Sequence, residues 1–218
     1  MDHTLLRPEA TRAEVERLLE EALYFGCAAA CVNPCWVALG AEKLRGSKVK
    51  VATVAGFPLG ATSTSAKCAE ARAAISEGAQ EIDVVMNIGA MKSGEFARVE
   101  DDIRSVVEVC RAAGVIVKVI LENAYLADEE KVKACEIVKR SGADFVKTST
   151  GFGPSGATEA DVRLMRQAVG PGMGVKAAGG IRTLAEARRF LAAGATRLGT
   201  SATVAILAEA ARSTGQSG

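Results

Sequence analysis

The chain has 218 residues, a formal net charge of +1, 49% hydrophobic residues and few aromatics, enough apolar material for one well-buried domain and little for two, so residues 1–218 are read as a single domain. No block of like charge offers a footprint for nucleic acid or for an anionic membrane surface. The apolar runs stop well short of a bilayer span and the N-terminus lacks the layout of a signal peptide, so the expectation is a cytoplasmic protein whose partner is a small molecule.

Taken in chain order, short apolar runs alternate with helical stretches. Asp2 to Leu6 reads as a first strand, followed by an amphipathic run opened by Thr11 and closed by Gly26. Ala28 to Asn33 is the second strand, with a shorter helix from Pro34 to Leu44 behind it. Val49 to Val54 precedes a helix from Ser63 or Thr64 to Gly78, and Glu81 to Asn87 precedes one from Ser93-Gly94 to Gly114. Val115 to Glu122, Phe145 to Ser149, Gly174 to Ala178 and Arg197 to Ser201 are the remaining strands. Their helices open near Asp128, Thr158, Thr183 and Ala202. Strand then helix, eight times, is the count of a (β/α)₈ TIM barrel. A doubly wound open sheet is the alternative, but the chain has neither a Gly-x-Gly-x-x-Gly after its first strand nor a P-loop lysine.

Six cysteines without a Cys-x-x-Cys pair, and His3 as the sole histidine, predict neither zinc nor a disulfide framework. Reduced, mostly buried thiols are expected. Cys31, near the end of the second strand, is expected close enough to the barrel mouth to be alkylated by unsaturated aldehydes.

Two lysines end two successive strands: Lys147 in Phe145-Val146-Lys147-Thr148-Ser149 and Lys176 in Gly174-Val175-Lys176-Ala177-Ala178. Lysines are seldom buried unpaired, and each of these is followed by a Gly-rich turn and then a helix, where barrel active sites form. Strand side chains alternate, so if both point inward they are neighbours near the C-terminal mouth. An amine attacks a carbonyl only when unprotonated, and a second ammonium about 4 Å away opposes protonation by roughly 4 kcal/mol at an effective dielectric near 20, with burial adding to it. The pair predicts imine chemistry. Asp83, mid-strand among Ile82, Val84 and Val85, is expected both to hold the lysines and to act as an acid or base. Lys118 sits early in its strand, nearer the barrel floor, where a structural role is expected. Gly179 and Gly180 after strand seven and Gly199 and Ser201 after strand eight occupy the two loops in which barrels commonly bind phosphate, and Gly151 after strand six can add a backbone donor.

Through Asp2-His3-Thr4-Leu5-Leu6, Gly56-Phe57-Pro58-Leu59-Gly60, Glu81-Ile82-Asp83-Val84-Val85, Lys118-Val119-Ile120-Leu121-Glu122, Phe145-Val146-Lys147-Thr148-Ser149-Thr150-Gly151-Phe152 and Val175-Lys176-Ala177-Ala178-Gly179-Gly180-Ile181-Arg182, the chain resembles the deoxyribose-phosphate aldolases along essentially its whole length. The resemblance implies a class I aldolase without metal or cofactor. It would cleave 2-deoxy-D-ribose 5-phosphate reversibly to acetaldehyde and D-glyceraldehyde 3-phosphate, with Lys147 as the Schiff-base lysine and Asp83 and Lys176 in proton transfer and in tuning Lys147. Asp83, through a water, is expected to take the C3 hydroxyl proton. Thr4 and Thr150 are expected either to donate hydrogen bonds to sugar hydroxyls or to serve as caps and strand-end packing, and a homodimer is expected. Three features depart from the family pattern. The Asp-His-Thr motif begins at residue 2, without the short segment that usually precedes it, which would either expose the barrel floor or mean that the chain is shortened. Ala202 stands where relatives often carry a second serine, removing a hydroxyl near the phosphate. The stretch after strand two contains Trp36, which could alter which unphosphorylated aldehydes fit. The rival readings are a phosphate-binding barrel that isomerises a sugar phosphate or condenses other aldehydes through the same lysine, and a catalytically silent barrel that senses a sugar phosphate.

Overall fold

The computed structural model describes residues 1–215, with side chains through Ser213. Eight parallel strands close into a barrel in sequence order: β1 (Asp2–Leu5), β2 (Ala29–Val32), β3 (Lys50–Ala55), β4 (Glu81–Val85), β5 (Ile116–Ile120), β6 (Phe145–Lys147), β7 (Gly174–Ala178) and β8 (Arg197–Thr200). The register advances two residues within each of β5, β7, β8 and β3 before the ring returns to Glu81, a shear of eight, as a (β/α)₈ barrel requires. Around it lie α1 (Arg12–Tyr24), α2 (Val37–Lys43), α3 (Thr64–Ser76), α4 (Ile88–Lys92), α5 (Phe96–Arg111), α6 (Asp128–Arg140), α7 (Glu159–Val169), α8 (Leu184–Ala192) and α9 (Thr203–Gly215).

The expected helix starts hold because the residues that cap them do so physically. Thr11 and Thr183 form capping boxes with Glu14 and Glu186, and the Ser63 and Thr158 side chains accept the N–H groups of Ala66 and Asp161. The expected continuation of β4 to Asn87 gives way to an extra helix, α4, because the Asn87 side chain accepts the Ala90 N–H and caps a turn there.

Alternation divides each strand between two cores. Outward residues such as Val51, Ile82, Val117, Val146 and Val175 pack under the helices in the main apolar core. Inside the barrel the two halves differ. Leu6, Ala29, Cys31, Ala52 and Val54, with Phe57 against them, form a small apolar cluster on the side of β1 to β3. Inward positions of β4 to β8 carry charge instead: Glu81, Asp83, Lys118, Lys147, Lys176 and Arg197. The expected open floor is in fact filled, since Arg197 lies over the Phe145 ring at 5.4 Å and pairs with Asp2 and Glu81, both almost wholly buried.

Candidate active site

The pairing of β6 with β7 sets Lys147 directly opposite Lys176, and Asp83 on β4 reaches both across the interior. One oxygen of Asp83, Oδ2, accepts from Lys147 Nζ at 2.8 Å and from Lys176 Nζ at 2.7 Å. The two amines therefore lie no farther apart than those bonds laid end to end, about 5.5 Å, where like charges repel by about 3 kcal/mol at an effective dielectric near 20. The other oxygen, Oδ1, accepts from Lys118 at 2.7 Å. Lys176 also reaches Asp2 at 2.6 Å, Lys118 reaches Glu81 at 2.7 Å, and Arg197 joins Asp2 at 2.6 Å and Glu81 at 3.1 Å. Lys118, central in β5 and opposite Asp83 in register, also reaches Glu81 and shares Asp83 with Lys147 and Lys176.

Three carboxylates and four cations make this network one positive charge over neutrality when every group is ionised. Neutrality is reached by removing one proton, and the surroundings select which. Burial, opposed by Asp83 but helped by the Lys176 ammonium, holds the Lys147 amine below its ordinary range. Against the same burial, Asp2 and Asp83 push Lys176 upward, and Asp83 with Asp2 and Glu81 does the same for Lys118. Burial would raise Asp83, but three ammonium groups hold it well below the usual carboxylate range. Asp2, buried likewise, is drawn down by Lys176, Lys118 and Arg197. Lys147 is the member of the network most readily made a free amine. Burial carries more of that effect than the lysine pair does, so the pair supplies only part of the expected tuning.

Above Lys147 opens a cavity of about 380 Å³, lined by Thr4, Thr150, Gly151, Gly179, Gly180, Gly199 and Ser201 among others. All of the expected binding residues therefore face one space, while Lys176 and Asp83 lie beneath it. A Cβ at Gly199 would sit 2.8 Å from Lys176 Cε, so any larger residue there would press on that lysine. Gly179 and Gly180 both take positive φ, 91° and 81°, turning the loop after β7 over the cavity. Of the two roles expected of the threonines, the hydrogen bonds they make here are the local kind. The Thr4 hydroxyl gives its proton to the Asp2 carbonyl at 3.0 Å, and that of Thr150 goes to the Glu122 carboxylate. Each offers the cavity a lone pair.

Other expectations resolve simply. Cys31 lies on the inward face of β2, fully buried, and burial pushes its thiol up to about 11, so it is neither exposed at the mouth nor a ready thiolate. All six cysteines are free, and only Cys35 is exposed. Trp36 packs against the outer core and does not line the cavity. Asp2, Glu81 and Arg197 complete the network without a motif of their own, although each stands two residues from an expected site residue, Thr4, Asp83 or Gly199, on the same strand face.

A buried lysine opposed by a second lysine beneath the mouth of a (β/α)₈ barrel is an arrangement suited to chemistry on a carbonyl, and comparison with known proteins places the chain among the aldolases. Residues 1–208 match the family model described as DeoC/LacD family aldolase, and the chain belongs to that family; it is an aldolase, a lyase. Among its relatives, the deoxyribose-phosphate aldolase of Streptococcus pneumoniae serotype 19F (strain G54) is 57% identical over 207 residues, covering 95% of this chain and 93% of that protein. That of Caldanaerobacter subterraneus subsp. tengcongensis is 54% identical over 210 residues, covering 96% and 91%. Among solved structures, an aldolase called QR15 superposes with a TM-score of 0.94 at 39% identity, over all of this chain and 97% of its own. The tetrameric deoxyribose phosphate aldolase from Aeropyrum pernix superposes with a TM-score of 0.87 at 37% identity, covering 94% and 87%. Among the described residues no helix is long and apolar enough to cross a membrane.

Proposed function

We propose that the protein cleaves 2-deoxy-D-ribose 5-phosphate reversibly to acetaldehyde and D-glyceraldehyde 3-phosphate through a Schiff base on Lys147, without a metal. The observation that carries this reading is the state of Lys147: buried under the cavity, sharing one carboxylate oxygen with Lys176, and held below its ordinary range. The free amine adds to the C1 aldehyde of the open-chain sugar, and loss of water gives an iminium that draws electrons from C2. Once the C3 hydroxyl has lost its proton, the C2–C3 bond breaks into an enamine on Lys147, and protonation at C2 followed by hydrolysis releases acetaldehyde. In the resting site Asp83 is ionised and keeps Lys147 aimed at the cavity, while Lys176 is an ammonium that opposes protonation of Lys147. During imine formation these two groups pass the exchanged protons and then return to their resting states. The loops carrying Gly151, Gly179, Gly180, Gly199 and Ser201 hold the phosphate by backbone N–H groups, binding a remote group to position the reacting carbons. Thr4 and Thr150 accept hydrogen bonds from sugar hydroxyls. The same reading includes a cytoplasmic location and a homodimer; a native mass of four chains would instead align the protein with the Aeropyrum relative.

The test is mass spectrometry after incubation with acetaldehyde and borohydride, which reduces an imine to a stable adduct. One ethyl group on Lys147 is expected, and Lys147→Ala abolishes it. Folded protein that forms no adduct would shift the reading to an isomerase or a silent sugar-phosphate barrel.

A further inference from the structure

One buried carboxylate at the cavity has no part in the lysine network. Glu122 follows β5, is 2% exposed, and among the described residues its side chain makes its polar contacts with Thr150. The Thr150 N–H donates to Glu122 Oε2 at 3.3 Å, and the Thr150 hydroxyl donates to the same oxygen. Both donors of Thr150 are therefore collected by one side chain.

The backbone is bent to allow this. Leu121 N–H donates to the Lys147 carbonyl and Asn123 N–H to the Thr148 carbonyl, so two residues advance after β5 against one after β6. The extra residue of this bulge is Glu122, and among the described residues it alone of the non-glycine residues has a positive φ, 55°. Left-handed backbone is unfavourable for a residue with a side chain and is kept where the surroundings impose it. A regular strand would set residue 122 on the inward face with Lys118 and Ile120; the bulge turns it toward Thr150. A Cβ at Gly153 would lie 2.9 Å from Glu122 Cδ, so any larger residue there would press on the carboxylate.

The consequence falls on the polarity of the cavity. A hydroxyl has one proton and two lone pairs, whereas a carboxylate only accepts. The Thr150 proton is committed to Glu122 and one lone pair accepts the Phe152 N–H at 3.0 Å, so Thr150 offers the cavity one lone pair and no proton. Thr4, which lines the same cavity, also turns its proton away, but a backbone carbonyl takes it; at Thr150 that task falls to Glu122. Thr150 stands between Lys147 and Gly151 in the chain, and all three line the cavity. It therefore faces the middle of a sugar held at C1 by the lysine and at C5 by the phosphate loops. The C3 hydroxyl is the reacting one, and its proton is left to Asp83 and a water. The C4 hydroxyl is a spectator of cleavage, and it carries a proton only in the open-chain sugar, because in the furanose its oxygen closes the ring.

We propose that Glu122 is a positioning residue that fixes Thr150 as a hydrogen-bond acceptor, and that the site thereby selects sugar phosphates with a free O–H at C4; this rests on the Lys147 reading above. The C4 O–H donates to Thr150, and Glu122 keeps Thr150 from donating in return. A C4 substituent that only accepts, such as fluorine, sets lone pair against lone pair and is rejected. The same polarity favours the open-chain sugar that Lys147 attacks.

The test is cleavage of 2-deoxy-D-ribose 5-phosphate and of the analogue with fluorine in place of the C4 hydroxyl, read as the ratio of their kcat/KM values. The intrinsic effects of fluorine on ring closure and on the reacting carbons are the same for every variant, so they cancel when ratios are compared between variants. In Thr150→Val, which has no hydroxyl, the preference for the hydroxyl sugar should fall about ten-fold, the worth of one hydrogen bond and of the repulsion that replaces it. Glu122→Met should lose the preference to a similar extent, because the freed Thr150 hydroxyl can turn its proton toward fluorine. Glu122→Gln should keep it, since an amide oxygen accepts both Thr150 donors. The Glu122→Met/Thr150→Val double variant should be no less selective than Thr150→Val. Borohydride trapping of acetaldehyde in each variant checks that Lys147 remains reactive. A purely structural role would lower cleavage of both sugars together; an unchanged ratio in folded Glu122→Met overturns the proposal, and so does a ratio in Glu122→Gln that falls as far as in Glu122→Met. If Glu122→Met does not fold, equal ratios in the unaltered protein and Thr150→Val overturn it. Failure of trapping in the unaltered protein would instead defeat the Lys147 reading.

Discussion

Lys67 and Lys147 are both buried lysines hydrogen-bonded to a buried aspartate, and they illustrate two uses of the same interaction. Lys67, on α3 outside the barrel, donates to Asp102 Oδ2 at 2.6 Å and to the Val85 carbonyl at 2.8 Å, while Asp102 Oδ1 accepts the Thr64 hydroxyl at 2.7 Å. Its stem packs beneath Gly56, and Glu70, one turn along the helix, accepts the Gly56 N–H at 2.7 Å. That pair is one to one, and it ties the loop after β3 to the end of β4. Lys147 has no carboxylate oxygen to itself. It shares Asp83 Oδ2 with Lys176, in a network with one cation too many. Burial makes neither lysine a nucleophile by itself; the difference lies in whether its counter-charge is private or contested.

The largest separation between the two should come from stability. Lys67→Met leaves Asp102 buried without its cation, a change that typically costs about 3–5 kcal/mol, and Lys67→Met/Asp102→Leu should recover much of it. Both should be read by denaturant melts. In the folded fraction, the pH dependence of borohydride trapping at Lys147 should be unchanged, because Lys67 is not part of the interior network. A shifted trapping profile would mean that the two lysines belong to one electrostatic network.

Next comes Lys176→Leu. Removing this ammonium takes away a repulsion that opposes protonation of Lys147, so the Lys147 amine should titrate at higher pH. Trapping by acetaldehyde and borohydride should fall about ten-fold or more near neutral pH and recover in part as the pH rises through the new value. Because burial is the larger influence on Lys147, recovery at moderately alkaline pH is expected, with no need for strong base. An unchanged pH profile would show that Lys176 has no part in the tuning.

How far each lysine could be read from sequence follows from local geometry. Lys147 and Lys176 stand on strands whose two-residue alternation and following glycines set their direction, so their pairing was legible. Asp2, Glu81 and Arg197 obey the same alternation and needed only to be counted two residues from Thr4, Asp83 and Gly199. Lys67 was hidden because α3 is rich in alanine around its circumference, and only its packing against α5 and the Gly56 turn buries that lysine. Glu122 was hidden for a different reason: its direction comes from one residue of left-handed backbone, and alternation assigns it to the wrong place. Cys31 was placed on the correct strand near the mouth, but the neighbouring Leu6, Ala52, Val54 and Phe57 close over it.

The smallest expected effect concerns the end of the site that the two lysines do not touch. Ala202 immediately precedes α9, and its N–H donates to the Thr200 hydroxyl at 2.9 Å, which in turn donates to the Ile181 carbonyl. The loop is therefore braced by Thr200 whether or not position 202 carries a hydroxyl. A serine there can cap α9 through its lone pairs and direct its proton toward the phosphate beside Ser201, adding a hydrogen bond worth about 1 kcal/mol. Ala202→Ser should lower KM for the phosphorylated sugar about five-fold and leave kcat unchanged, because the gain is made equally in ground and transition states. Unphosphorylated 2-deoxyribose is the control, and its kcat/KM should not move. A rise in kcat with either sugar would mean that position 202 reaches the reacting carbons, and that the phosphate loop and the lysine network are not separable in the way their hydrogen bonds indicate.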